Sequence, residues 1–242
     1  MIPGVVLFGR YAFPPNRLGY CGPSDHASLA GYLSQDRGDG GLRDLARRFE
    51  GAYPYLQLIA GANGIPDPFD RRVVEAYWIG NALLDRVGAS PLYESLKLRF
   101  RPRMSGPSFA SLVSHLDDGT PPHHNFHVFE IYRRAGLLRD ERASVALDRM
   151  DQCRISWGQV RAVTSADLVV DRRPLVLVGG KLALGAARAV TVLRRADDSP
   201  PPVAGAWVSI HWGWACDRLS RRALEALQAA TRRAIDHTNL TL

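Results

Sequence analysis

From residue 1 to about Gln152 the apolar positions fall mainly at helical spacing; beyond it they gather into short β-branched or aromatic runs. The opening segment, residues 1–38, is irregular. Val5-Val6-Leu7-Phe8 reads as a short strand, Pro14-Pro15 as a loop, and Ser24 or Asp25 as the cap of a short helix through Leu29 and Tyr32. After the Gly-rich loop at 38–41, Leu42, Leu45, Ala46 and Phe49 share one helical face, which Pro54 interrupts before Leu56, Leu58 and Ile59. Asp67-Pro68 is expected to open a long helix burying Val73, Val74, Tyr77, Leu83, Leu84 and Val87. Ser90-Pro91 and Ser105 start two more, ending near Phe100 and Leu116. A turn at Asp117-Asp118-Gly119 leads to a helix from His123 to about Arg134, and another from Asp140 to Met150 closes this half.

The second half predicts strands at Arg154–Val163, Ala166–Val170, Leu175–Val178, Ala187–Arg195 and Ala204–Trp212. Their separators, Asp171-Arg172-Arg173-Pro174, Gly179-Gly180, Gly185 and Asp197-Asp198-Ser199-Pro200, are turn sequences too short for helical crossovers. Ser220 then caps an amphipathic helix through about His237. The expected fold is therefore α+β: a helical region over 1–152, then an antiparallel meander of about five strands and a C-terminal helix over 153–242, as two units or one continuous domain.

Composition narrows the function classes. Hydrophobic residues make up 46% and charged residues 23%, as in folded globular chains. No apolar run approaches the ~20 residues of a membrane span, and Met1–Arg10 has no secretory pattern, so a cytoplasmic protein is expected. The net charge of +7 comes almost wholly from arginine, since Lys97 and Lys181 are the two lysines. The arginines lie in scattered pairs without interleaved aromatics, so no specific nucleic-acid partner is expected.

Three cysteines form neither a disulfide framework nor a C-x-x-C metal motif. Each has a distinctive context. Cys21 precedes a helix start, where the dipole and free amides would lower its pKa and make it a nucleophile. Cys153 lies at the helix-to-strand junction, and Cys216 follows the last expected strand. In Pro-Pro-His-His-Asn-Phe-His-Val-Phe-Glu, helical spacing puts His123 and His127 on one face, with Glu130 one turn further on. That is a workable half-site for iron, nickel or zinc, although the H-E-x-x-H of metalloproteases is absent. Strand alternation aligns Trp207, Ser209 and His211 against Val208, Ile210 and Trp212, and three tryptophans in eight residues suggest an aromatic-walled pocket. An early cysteine with a late histidine follows the order of papain-like enzymes, without their Cys-Gly-Ser-Cys-Trp run. No glycine pattern fits a nucleotide loop.

The stretches Gly-Tyr-Cys-Gly-Pro, Pro-His-His-Asn-Phe-His-Val-Phe, Cys-Arg-Ile-Ser-Trp-Gly and Val-Ser-Ile-His-Trp-Gly-Trp-Ala-Cys-Asp resemble an uncharacterised bacterial family associated with nickel-iron hydrogenase gene neighbourhoods. The resemblance implies metallocentre maturation or redox accessory work, with a hydrogenase or a maturation factor as protein partner. It supplies no catalytic residues. The first expectation is thus a metal role for His123, His127, Glu130, Cys153 and Cys216, with Cys21 and His211 as reactive groups and Trp207 and Trp212 as pocket walls. A thiol-dependent hydrolase or transferase with Cys21 as nucleophile, and a non-catalytic module docking through its tryptophans, stand beside it.

Overall fold

The computed structural model describes residues 2–36, 38–117, 119–134, 143–195 and 200–242. Asp118 of the expected turn, Asp140 at an expected helix start and Asp197-Asp198-Ser199 lie outside the described residues.

The structure is α+β, with helices first and a small barrel with a closing helix after. The first correction comes at once. Val5–Phe8 is not a strand but the opening of α1 (Gly4–Arg17), and Pro14-Pro15 lies inside that helix. Val5, Val6, Leu7, Phe8, Tyr11 and Ala12 are all buried, so the first two turns of α1 are buried on several sides. A short apolar run carries no period, and only that burial separates the two readings.

Around α1 pack α2 (His26–Ser34), α3 (Gly40–Arg47) and α5 (Arg71–Trp78), and α4 (Tyr53–Ala62) packs on α5. Asp25, Asp39 and Asp70 cap α2, α3 and α5 by accepting backbone N–H bonds. Pro54 sits in the first turn of α4, where its missing N–H costs nothing, so it starts a helix rather than interrupting one. The long helix expected from Asp67 is shorter. It ends at Gly80, whose φ of +100° a side chain would strain, and a 3₁₀ turn at Leu84–Arg86 buries Leu84 separately. Next come α6 (Ala89–Phe100), α7 (Gly106–Val113, capped by Ser105), α8 (His124–Arg134) and α9 (Ala143–Cys153).

The strands are β1 (Ser156–Val163), β2 (Asp167–Arg172), β3 (Leu175–Val178), β4 (Lys181–Leu184), β5 (Arg188–Leu193), β6 (Trp207–His211) and β7 (Trp214–Leu219). The expected meander closes on itself as a five-stranded barrel in the order β1-β2-β5-β7-β6, with β3-β4 as a separate hairpin. The sheet is mixed because β5 and β7 meet in parallel, at Leu193 and Trp214. Two strands escaped the sequence reading. Gly179-Gly180 and Trp212-Gly213, all at positive φ, make two-residue turns that fold β4 back on β3 and β7 back on β6.

The barrel holds a small core of Val160, Leu168, Val170, Val192, Val208 and Ile210. A larger core runs from Val5 in α1 to Ile235 in α10 (Arg221–Asn239), through Cys153, Ile155 and Cys216. Among the described residues no helix is long and apolar enough to cross a membrane.

Candidate metal centre

Helix α8 begins one residue later than expected, and the site depends on that residue. His123 stays outside the helix, where its Nδ1 accepts the Asn125 N–H at 3.0 Å. Asn125 then fixes the helix start against the α9–β1 junction. Its Oδ1 accepts the Ile155 N–H (2.7 Å) and its Nδ2 donates to the Ile155 carbonyl and the Thr231 hydroxyl (2.9 Å each). This pairing brings the first turn of α8 beside Cys153. His124 Nε2 lies 3.0 Å from the Cys153 carbonyl and 3.9 Å from its Sγ, while Nδ1 lies 3.1 Å from the Tyr77 hydroxyl. One turn on, His127 Nδ1 lies 3.2 Å from the Tyr55 hydroxyl.

The third imidazole arrives from the barrel. Alternation along β6 sends Val208 and Ile210 into the barrel core and Ser209 and His211 toward α1. His211 Nδ1 is 2.7 Å from the Tyr11 carbonyl. A carbonyl only accepts, so Nδ1 carries the proton and Nε2 keeps its lone pair. The Tyr11 carbonyl is available because residue 15 is proline, which has no N–H to donate one helical turn back. His211 Nε2 sits by the Cys153 carbonyl without the geometry of a hydrogen bond and has no partner, although His211 is 1% exposed.

These groups line a cavity of about 70 Å³ with Cys21 and walls from Phe49, Tyr77 and Trp78. One ligand atom each from His124, Cys153 and His211 lies within 4.8 Å of the others, and all three residues are buried. Tetrahedral zinc with ordinary bond lengths holds nitrogen and sulfur ligands roughly 3.4–3.6 Å apart, so to encircle an ion the trio would contract and His124 Nε2, whose proton the Cys153 carbonyl accepts at 3.0 Å, would give up that bond.

The electrostatics suit neutral nitrogen donors. Burial holds His127 down to about 3 and His211 to about 4, and it puts His124 well below the ordinary imidazole value. Burial raises Cys21 to about 12, with the Cys153 thiol adding to the effect, although part of Cys21 faces solvent. That reverses the lowered pKa expected for Cys21. The helix after it is capped by Asp25, four residues on, so the α2 dipole does not reach the thiol.

Residues 1–242 match a family of unknown function, DUF6390. The chain belongs to this family. No curated protein matches it, and no solved structure does.

In this DUF6390 member, Cys21, His127, Cys153 and His211 converge on one cavity, whereas His123, Glu130 and Cys216 do not join them. His123 and His127 lack a common helical face because His123 is not in the helix. Glu130 forms a buried ion pair with Arg134, and the Cys216 thiol donates to the Trp214 carbonyl at 3.5 Å. Trp207 packs against the large core, and Trp212 sits in the β6–β7 turn, stacked on Tyr20 at 4.4 Å. Trp207 and Trp212, expected as the walls of an aromatic pocket, do not line this cavity; Phe49, Tyr77 and Trp78 of the helical half do. Sequence reasoning passed over His124, Tyr77, Tyr11 and Asn125. The spacing of His124 and His127, three apart on one helix, was the available signal for the first of these.

Proposed function

We propose that this protein binds a borderline or soft transition metal ion, zinc, nickel or ferrous iron, through His124, Cys153 and His211, and serves as a metallocentre accessory protein. The observation that carries this reading is His211 Nε2: a buried lone pair with its proton fixed on the far nitrogen, facing a thiol and a second imidazole within 4.8 Å. Metal-bound histidines are typically oriented by such a hydrogen bond from the outer nitrogen. Two imidazoles and a thiolate favour zinc, nickel or iron over magnesium or calcium. The resemblance to a family from nickel-iron hydrogenase neighbourhoods supports a maturation role with a hydrogenase or maturation factor as partner.

The thiol-enzyme reading has less support. Cys21 is held in its protonated form, and among the described residues no hydrogen bond joins it to a histidine base.

The test is metal analysis of protein purified without an affinity tag, followed by titration with zinc, nickel and cobalt. About one equivalent should bind. At a hundredfold excess over Kd the ion should add about 2.7 kcal/mol of stability, visible as a rise in Tm. Cys153→Ser and His211→Gln should each abolish that rise. Less than about a tenth of an equivalent, with no binding on titration, overturns the reading.

A further inference from the structure

Cys21 differs from the trio in two respects: it comes from a loop between α1 and α2, exposed while its side chain lines the cavity, and it lies outside the group whose ligand atoms are all within 4.8 Å of one another, so the loop must carry it inward to ligate. The loop is hinged and latched. Gly19 (φ +75°) and Gly22 (φ +78°) flank Tyr20-Cys21, and glycine at both ends leaves the flanking dihedrals a wider allowed range than any other residue would. Packing also demands glycine at 22, since a Cβ there would meet the Phe49 ring at 2.3 Å. The inner latch is Asn16, fully buried at the end of α1. Its Nδ2 donates to the Cys21 carbonyl (2.8 Å) and the Pro23 carbonyl (2.7 Å), and its Oδ1 meets His26 Nδ1 at 3.0 Å. The outer latch is the Tyr20 ring stacked on Trp212, which follows the ligand His211 and is held at φ +48°. A bulky residue in that conformation is strained by about 1 kcal/mol or more. Its N–H bond to the Gln152 carbonyl (2.8 Å) ties the turn to α9 beside Cys153.

We propose that the Cys21 loop is a metal-operated gate: Cys21 supplies a fourth ligand to the ion held by His124, Cys153 and His211, and its release opens the cavity so that the ion leaves as cargo. This rests on the metal reading above. A dication entering the closed site displaces one proton from each of the two thiols, both protons pass to solvent, and two thiolates then balance the ion's charge. Three ligands on packed elements hold the ion, and the fourth, on a hinged loop at the surface, is the one a receiving protein's ligand can replace first.

Cobalt(II) is the probe, because its thiolate charge-transfer band reports sulfur ligands. Wild-type protein should bind one cobalt with such a band. Cys21→Ser should still bind one cobalt, with the band reduced to about half and loss of metal to EDTA faster by about tenfold or more. Cobalt should also slow iodoacetamide alkylation of Cys21 in the wild-type protein, a measurement that needs no variant, and should slow amide exchange across residues 18–25. If cobalt binds but the Cys21→Ser band is unchanged and Cys21 is alkylated at the same rate with and without metal, the gate is overturned and the three-ligand site stands. If wild-type protein binds no cobalt, both fall.

Discussion

Two buried polar clusters adjoin the segment 151–156, and they are built in opposite ways. In the first, Asp151 Oδ1 accepts from Arg154 Nε (2.8 Å) and the Leu175 N–H (2.8 Å), and Oδ2 accepts from Arg172 (2.7 Å). Arg172 also donates to the Asp151 carbonyl (2.6 Å) and the Ser156 hydroxyl (2.7 Å). Among the described residues, no buried nitrogen or oxygen of these three side chains lacks a partner. Burial alone would raise the Asp151 carboxyl, but Arg154 and Arg172 hold it below the usual range. In the second cluster, beside Cys153, the groups are neutral and His211 Nε2 is left open. The difference separates structural from functional polarity. A buried ion network is tolerable only when every member is satisfied, so the first cluster has no capacity for a ligand. The second keeps a lone pair unused and bears the cost of its desolvation.

The largest expected effect breaks the first cluster. Asp151→Ala strands two buried guanidinium groups and should cost about 3–5 kcal/mol, lowering Tm by roughly 10 °C. Cys153→Ser puts a hydroxyl into the core and should cost about 1–3 kcal/mol, less than Asp151→Ala, while losing the metal. Thermal unfolding of both variants, with and without zinc, checks the contrast, and equal destabilisation by the two would erase it.

A pH scan of metal-free protein sharpens the comparison next. Buried His123 and His211 charge only near 3 and 4 in the fold, but near 6.5 when unfolded. The unfolded chain therefore binds more protons across that window. Stability is full above about 6.5 and declines as pH falls, by about 2 kcal/mol per histidine at pH 5. The Asp151 network also loses stability on acidification, but only below about pH 4, where an unfolded aspartate begins to protonate. Denaturant midpoints that stay flat from pH 7 to 5 would contradict the buried neutral imidazoles.

The smallest effect concerns the device that orients His211. Pro15→Ala restores an N–H that competes for the Tyr11 carbonyl. It should weaken zinc binding by about tenfold and shift the His211 tautomer, read from its ring ¹⁵N resonances. Unchanged resonances and affinity would make the proline incidental.

Local signals that carry their own chemistry were legible. Ser220 is legible as a cap, Ser24 or Asp25 as the cap of α2 (the structure uses Asp25), the α8 window as a helix and β3 to the residue, because capping and hydrophobic period act within a few positions. Val5–Phe8 reads as a strand because a run of buried apolar residues shows no helical period, and Pro14-Pro15 as a loop because nothing local shows that His211 takes up the Tyr11 carbonyl that Pro15 leaves without an N–H. The trio at the site was half visible. Cys153 and His211 stood out by context, but His124 was eclipsed by His123, since one residue of helix phase decides which imidazole faces Cys153.

By itself, the sequence determined the α+β order of elements and the stretches that hold cysteine and histidine. Tertiary structure alone decided which of them meet. His124, Cys153 and His211 are up to 87 residues apart in the chain, and their approach depends on Asn125 pairing with Ile155 and on β6 lying against α1. Such contacts are set by closing long loops over a shared core, and no local residue pattern encodes that distance.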